Sequence, residues 1–230
     1  MQKASDTLPA SIDHRTGWWN IGDQKETGSC VGWATADSVL RWHFVNKGKL
    51  TTSTLLSPRF TWMAAKETDE YTSYPETFIE IAGTSLKAAL EISRKYGAVT
   101  DDMLKFDPTD LYQGKTETFY TQAAKWRIAS FHNLGKNIGT WRAWLAEHGP
   151  ILTRLNVDKT WDSVNSGYSE LETYYPENTR GGHAVALVGY DEKSFIVRNS
   201  WGVKWGDKGF AHASDNYAAA AFTEAYGVVV

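Results

Sequence analysis

The chain has 230 residues, of which 42% are hydrophobic and 22% charged, with a formal net charge of -3. That length can bury a large core as one domain or as two tightly joined lobes, while the balanced charge and the absence of a basic run exclude the electrostatic footprint of a nucleic-acid or anionic-membrane binder. No stretch approaches the roughly 18 uninterrupted apolar residues of a membrane span and residues 1–9 lack the apolar centre of a signal peptide, so the expectation is a chain that neither spans nor targets a membrane, cytoplasmic or an exported mature form.

Residues 1–28 contain Pro9, Gly17, Gly22 and Gly28 without sustained periodicity, which predicts an extended surface segment. From Val31 the positions Val31, Ala34, Thr35, Ser38, Val39 and Trp42 recur at three and four, predicting a helix with a small-residue face that begins at Cys30 and ends before Gly48. Ser57-Pro58 reads as an N-cap followed by Pro at the first helical position, opening a helix through Ala65. Thr84 or Ser85 caps a third helix, closed by Gly97.

After Gly97 the texture changes. Residues 125–131 alternate, residues 138–148 read as a helix presenting Trp141, Trp144 and Leu145, and Gly149-Pro150 stops it. Residues 151–157, 184–190 and 195–198 are short apolar or alternating runs, the last two joined as a hairpin through residues 191–194. A helical first half before a strand-rich second half predicts an α+β protein of two lobes with a cleft between them.

Cys30 is the sole cysteine, so no internal disulfide exists and stability must come from packing. Placed at the start of a helix, its sulfur meets unpaired N–H groups and a partial positive charge, which favour thiolate. A cysteine nucleophile needs a base, an orienter for that base and donors for the developing oxyanion. His183, in Gly181-Gly182-His183-Ala184-Val185, is the candidate base, and Asn199, opening Asn199-Ser200-Trp201-Gly202, the candidate orienter. Gln24, six residues before Cys30, supplies an amide for the oxyanion beside the Cys30 N–H. Because side chains alternate along a strand, His183 and Asn199 face one cleft only if the hairpin loop has an odd number of residues or a strand carries a bulge.

These runs resemble the papain-like cysteine peptidases. The resemblance rests on Asp13-His14-Arg15, Asp23-Gln24, Gly28-Ser29-Cys30, the stretch from Gly181 through Tyr190, and Asn199-Ser200-Trp201-Gly202-Val203-Lys204-Trp205-Gly206. It implies a papain-like fold, with a helical lobe over residues 13–110 and an antiparallel, barrel-like strand lobe over 111–230. It further implies catalysis by Cys30, His183, Asn199 and Gln24, with Gly28, Gly83 and Trp201 lining the substrate site and Trp201 shielding the His183–Asn199 bond. A peptide or protein is the implied substrate and a proteinaceous inhibitor or a removed prosegment the implied partner; no metal or organic cofactor is needed. The chain departs from the family in having Val31 after the nucleophile, with Trp33 offered to fill that volume, and Thr27 where a disulfide cysteine is common. Aligned from Gly149-Pro150, Arg154 falls at the wall of the main specificity pocket, implying an acidic or polar side chain two residues before the cut, unless a local carboxylate pairs with it.

Eleven Trp, eleven Tyr and nine Phe are many for this length. Trp141, Trp144 and Trp205 read as core, and His14, His43, His132, His148 and His212 as ordinary polar or capping histidines without a metal pattern. Two other functions compete with peptide hydrolysis: a ligase in which an amine resolves the same thioester, and a non-catalytic aromatic cleft that holds peptide or glycan.

Overall fold

The computed structural model describes residues 8–68, 83–107 and 117–230; the lobe boundary expected at 110/111 lies outside them. The first element past the leading segment is a continuous helical run made of an α turn Cys30–Gly32, a π stretch Trp33–Leu40 and an α stretch Arg41–Asn46. At the π-to-α junction the Arg41 N–H bonds the Ala36 carbonyl five residues back. Ala34, Ala36, Ser38 and Val39 are all buried, so the small-residue face expected from the sequence lets this helix sit deep in the molecule.

The Pro58–Thr68 helix begins where predicted and runs three residues further. Ser57 Oγ accepts from the Phe60 N–H at 3.0 Å and donates to the Leu104 carbonyl at 2.6 Å, so one hydroxyl caps the helix and ties it to a later loop. Of the two candidate caps for the Leu86–Lys95 helix, Ser85 takes the role by accepting from Ala88 N. At its other end Gly97 adopts φ +105° and its N–H bonds the Ile92 carbonyl at 2.9 Å, an ending that favours glycine.

The second half forms one mixed, mostly antiparallel sheet. Its strands are β1 (Ile12–Asp13), β2 (Ser130–Asn133), β3 (Ile151–Val157), β4 (Glu170–Leu171), β5 (Gly181–Tyr190), β6 (Ser194–Arg198), β7 (Phe210–Ser214) and β8 (Phe222–Val229). Spatial order is β2-β8-β3-β5-β6-β7-β4, with β1 on β5 and β4 parallel to β7. Helices Ile138–Glu147 and Asp215–Ala221 pack on it. The α+β class follows from this arrangement.

One face of the sheet, through Leu152, Ala184, Ala186, Val188 and Ile196, joins Val31, Ala34, Val39 and Leu40 in a core that spans both halves. The other face encloses Leu155, Val185, Leu187, Val197, Trp141 and Trp161. A third cluster, with Phe60, Ile92 and Phe119, lies among the helices and the loop carrying Val99 and Leu104.

One alternating run forms no single strand, and one expectation is corrected. Residues 125–131 are not one strand: Ala124–Trp126 is a 3-10 turn, and pairing starts only at Ser130, because a partner edge exists only along β8, where Ser130 faces Val229. The leading segment is not a surface loop throughout, since Ile12 and Asp13 pair with Tyr190 and Gly189 and Trp19 is 3% exposed. The Trp19 indole N–H donates to the Asp37 carbonyl at 2.9 Å, an anchor that periodicity cannot reveal because it is a single long-range contact.

Candidate active site

Cys30 opens its helix, half-buried, and lines two adjoining hollows of about 910 and 470 Å³. The smaller hollow brings together Gln24, Gly28, Cys30, His183 and Trp201. The larger holds Cys30 and His183 again, with Gly83, Leu86, Arg154, Glu224 and Tyr226. Gly83 lies close to the Gly28 carbonyl, at 3.5 Å from where a Cβ would stand, so the two glycines meet between the hollows.

His183 and Asn199 share a face because of a bulge. The β5–β6 pairing runs Tyr190↔Phe195 and Gly189↔Ile196, then shifts to Leu187↔Val197 and Ala186↔Arg198. The extra residue, Val188, reverses the alternation between the hairpin and the site. It fulfils the parity condition set by the sequence, through the bulge rather than the loop length.

The imidazole is held in a defined tautomer. Asn199 Oδ1 accepts from the Ser200 backbone N–H at 2.8 Å and also lies 2.8 Å from His183 Nε2. A backbone N–H can only donate, so the oxygen end of the amide is assigned, and His183 Nε2 must donate to it. The neutral ring then carries its lone pair on Nδ1, ready to take a proton.

Gln24, 7% exposed, is equally constrained. Its Oε1 accepts from Ser200 Oγ at 2.8 Å, its Nε2 donates one proton to the Thr27 carbonyl at 2.9 Å, and its backbone N–H donates to the Ser200 carbonyl at 2.8 Å. One amide proton is left for a ligand in the hollow. Thr27 donates to the Gln24 carbonyl at 2.6 Å and contacts Ser29 Oγ at 2.7 Å, so hydrogen bonds hold this turn. The roles of Ser200 and Thr27 were not readable from sequence: Ser200 meets Gln24 only through the fold, and Thr27 acts within a local turn that no motif marks.

Aromatic rings wall the histidine. Trp201 lies 4.9 Å from the His183 ring at 32°, and Trp161 meets it edge-on at 5.6 Å and 89°. Trp161 also stacks on Trp205 at 5.0 Å. Trp161 stands in no motif, so nothing in the neighbouring residues points to this place for it. Trp33 is not beside the nucleophile's neighbour: it packs against Gly22 and Phe106, while Val31 enters the shared core.

Burial governs the electrostatics here. It pushes the Cys30 thiol above its ordinary range, outweighing the nearby backbone N–H groups of Ala184, Val31 and Cys30 and the charge of Arg154, which all act the other way. This corrects the expectation that the helix start alone favours thiolate: desolvation of a half-enclosed sulfur is the larger effect. Burial likewise lowers His183 from 6.5 to about 4, against the hydrogen bond it donates to Asn199. Each group alone resists charging, and the two line the same hollows.

Behind the site, Arg198, which precedes Asn199, pairs with Asp37 on the Cys30 helix at 2.7 Å, donates to Ser38 Oγ and reaches the Asn20 carbonyl at 2.6 Å. Both side chains are nearly fully buried, and Arg41 also pairs with Asp37 at 3.4 Å. This network ties the strand carrying Asn199 to the helix carrying Cys30. In the larger hollow, Arg154 donates to Thr223 Oγ1 at 2.8 Å, and its guanidinium lies on Gly182, where a Cβ would stand only 2.5 Å from Nη2. Among the described residues no carboxylate lies within ion-pair distance of Arg154, although Glu224 stands opposite it across β3 and β8. No group of three His, Cys, Asp or Glu suited to a metal ion occurs among the described residues, and no described helix is long and apolar enough to cross a membrane.

A family model described as "Papain family cysteine protease" matches residues 8–228. The chain belongs to the papain family. Among its relatives are vignain from Ricinus communis, 25% identical over 91% of this chain and 56% of that one, and cathepsin F from Mus musculus, 28% identical over 83% and 38%. An uncharacterized peptidase C1-like protein from Acanthamoeba polyphaga mimivirus is 28% identical over 61% of this chain and 49% of its own length. The chain thus spans about half or less of the length of these curated relatives. The papain-family fold is matched by the crystal structure of xylellain, a cysteine protease from Xylella fastidiosa, with TM-score 0.84 at 20% identity over 97% of this chain and 87% of that one. Procathepsin L 3 of Tenebrio molitor gives 0.75 at 17% identity, over 100% and 72%.

Proposed function

We propose that the chain is a cysteine endopeptidase. Cys30 attacks the peptide carbonyl as its proton passes to His183 Nδ1. The tetrahedral oxyanion is met by the free Gln24 amide proton and the Cys30 backbone N–H. Return of the proton to the departing amine leaves a thioester on Cys30, which water hydrolyses with His183 as base. Asn199 keeps the ring in the required tautomer and Trp201 shields that bond. The observation that carries this reading is the double use of Asn199 Oδ1, which leaves the ring nitrogen able to accept a proton on Nδ1.

Gly28 and Gly83 expose backbone along the groove for an extended substrate. Arg154, without a carboxylate partner among the described residues, favours an acidic or polar side chain two residues before the cut, with Glu224 lining the same hollow. Control by a proteinaceous inhibitor or a prosegment accords with this reading.

The test is mass spectrometry of the protein with a mixed peptide library, with and without iodoacetamide. Alkylation confined to Cys30 and loss of cleavage are expected, as is a fall in kcat of at least about 10⁴-fold in Cys30→Ala. Products carrying an added amine would point to ligation. Full activity in Cys30→Ala would dispose of the mechanism, and tight peptide binding without any turnover would favour a binding cleft.

A further inference from the structure

Behind the His183 wall lies a buried polar chain that the proposed mechanism leaves unused. Asp158, just past the end of β3, is fully buried. Its Oδ1 accepts from Tyr217 Oη at 2.8 Å and from Thr160 Oγ1 at 2.6 Å, and its Oδ2 from the Tyr175 backbone N–H at 2.8 Å. Tyr217 Oη in turn accepts from the Trp161 indole N–H at 2.8 Å. The Trp161 backbone carbonyl accepts from Trp205 Nε1 at 3.1 Å. Trp161 is therefore gripped at both ends, and its ring edge rests on His183.

A ring needed only to fill space requires no such anchoring. Burying a carboxylate, a phenol and an indole N–H is costly unless every group finds a partner, and here they are linked in one line that ends at the imidazole. The three residues come from different places: the end of β3, the short helix Thr160–Ser163, and the helix Asp215–Ala221. Burial, together with the neighbouring Asp158, holds the Tyr217 hydroxyl well above its ordinary pKa, so it remains a donor throughout the working range.

Building on the peptidase reading above, we infer that Asp158, Tyr217 and Trp161 are positioning residues that fix the ring plane of His183 and keep water from its buried face. Asn199 fixes one nitrogen of the ring, but a single hydrogen bond leaves rotation about that contact free; Trp161 and Trp201, themselves in contact at 5.4 Å, crowd the same flank of the ring and restrict that freedom. The other charged and titratable groups around His183 are Cys30 across the groove, Arg154 on β3, and the Asp162–Arg180 pair on the rim, which is 2.8 Å apart and half-exposed.

The experiment compares Tyr217→Phe and Asp158→Asn with the wild type. The readouts are kcat and KM on a peptide the wild type cleaves, the rate of Cys30 alkylation by iodoacetamide against pH, and the melting temperature. Tyr217→Phe removes one oxygen and frees the indole, so kcat falls about 10-fold with KM unchanged within about twofold, and the acid limb of alkylation moves up by about one pH unit as water reaches His183. Asp158→Asn keeps an acceptor oxygen and shows a smaller change in both. Should Tyr217→Phe fold poorly, the double variant Trp161→Phe/Tyr217→Phe removes the orphaned donor as well and is expected to show the same shift of the acid limb. Variants that match the wild type in kcat and acid limb, whatever their melting temperature, reduce the chain to core packing and overturn the inference. A wild-type Cys30 that alkylates like a free thiol, with no acid limb set by a neighbour and no peptide cleaved, overturns the peptidase reading itself.

Discussion

The two hollows that meet at Cys30 are built on different principles. In the smaller one the amide oxygens are committed, that of Gln24 to Ser200 and that of Asn199 to Ser200 and His183, and the Gln24 nitrogen also bonds Thr27, with the Trp201 indole beside the imidazole. The larger one presents Arg154, Glu224, Lys87 and Lys95 around an apolar floor of Leu86 and Tyr226. Chemistry demands groups that do not have to reorganise when charge develops, whereas recognition of varied side chains tolerates mobile charges. On the proposed reading, the contrast teaches that the fold places its buried hydrogen bonds on the side where the peptide bond would be broken.

The sharpest way to break this contrast is at Gln24. Gln24→Ala is expected to lower kcat by about 10² to 10³, equivalent to roughly 3 to 4 kcal/mol, with little change in KM, measured by steady-state turnover. An unchanged kcat would mean the constrained amide serves the turn rather than the oxyanion.

A second measurement asks whether the chemistry side is dry. His183 and His43, the latter 4% exposed with its ring on the Pro150 carbonyl at 3.1 Å, are each lowered by burial from 6.5 to about 4. Between these values the unfolded chain binds the proton that the folded chain refuses. Each histidine's contribution is therefore complete above pH 6.5 and lost as pH falls toward 4, by about 3 kcal/mol. Denaturant melts of Cys30→Ala/His43→Gln, which cannot digest itself, isolate the His183 share. A flat stability profile across that window would show the ring to be wetted.

The smallest effect is expected in the larger hollow. Arg154→Leu should reduce the preference for Glu over Leu two residues before the cut by about 10-fold, close to 1.4 kcal/mol, while leaving alkylation of Cys30 within a few-fold of wild type. Competition between the two peptides in one reaction reads this directly, and a ratio that does not move would assign Arg154 to its Thr223 contact alone.

Much of the site was legible because its parts are local. Cys30 stands at a helix start, Gln24 precedes it at a short interval, and Gly182 beside His183 leaves the room that the Arg154 guanidinium takes. The β3 limits and the Ser85 and Gly97 helix ends were equally readable, since caps and apolar alternation are written in neighbouring residues. Residues 125–131 alternate without forming one strand, because alternation alone does not create a strand; a partner edge does.

The sequence by itself determined which residues can do thiol chemistry and on which kinds of element they sit, because residue type and short-range spacing set nucleophile, base and cap. Tertiary structure alone decided the bulge at Val188 that turns His183 and Asn199 to one face, the orientation of the Asn199 and Gln24 amides by Ser200, the Asp158–Tyr217–Trp161 brace, and the burial that drives the thiol and imidazole pKa values apart. Each of these depends on residues far apart in the chain coming within hydrogen-bond distance and excluding water, and neither distance nor desolvation is encoded by any one segment.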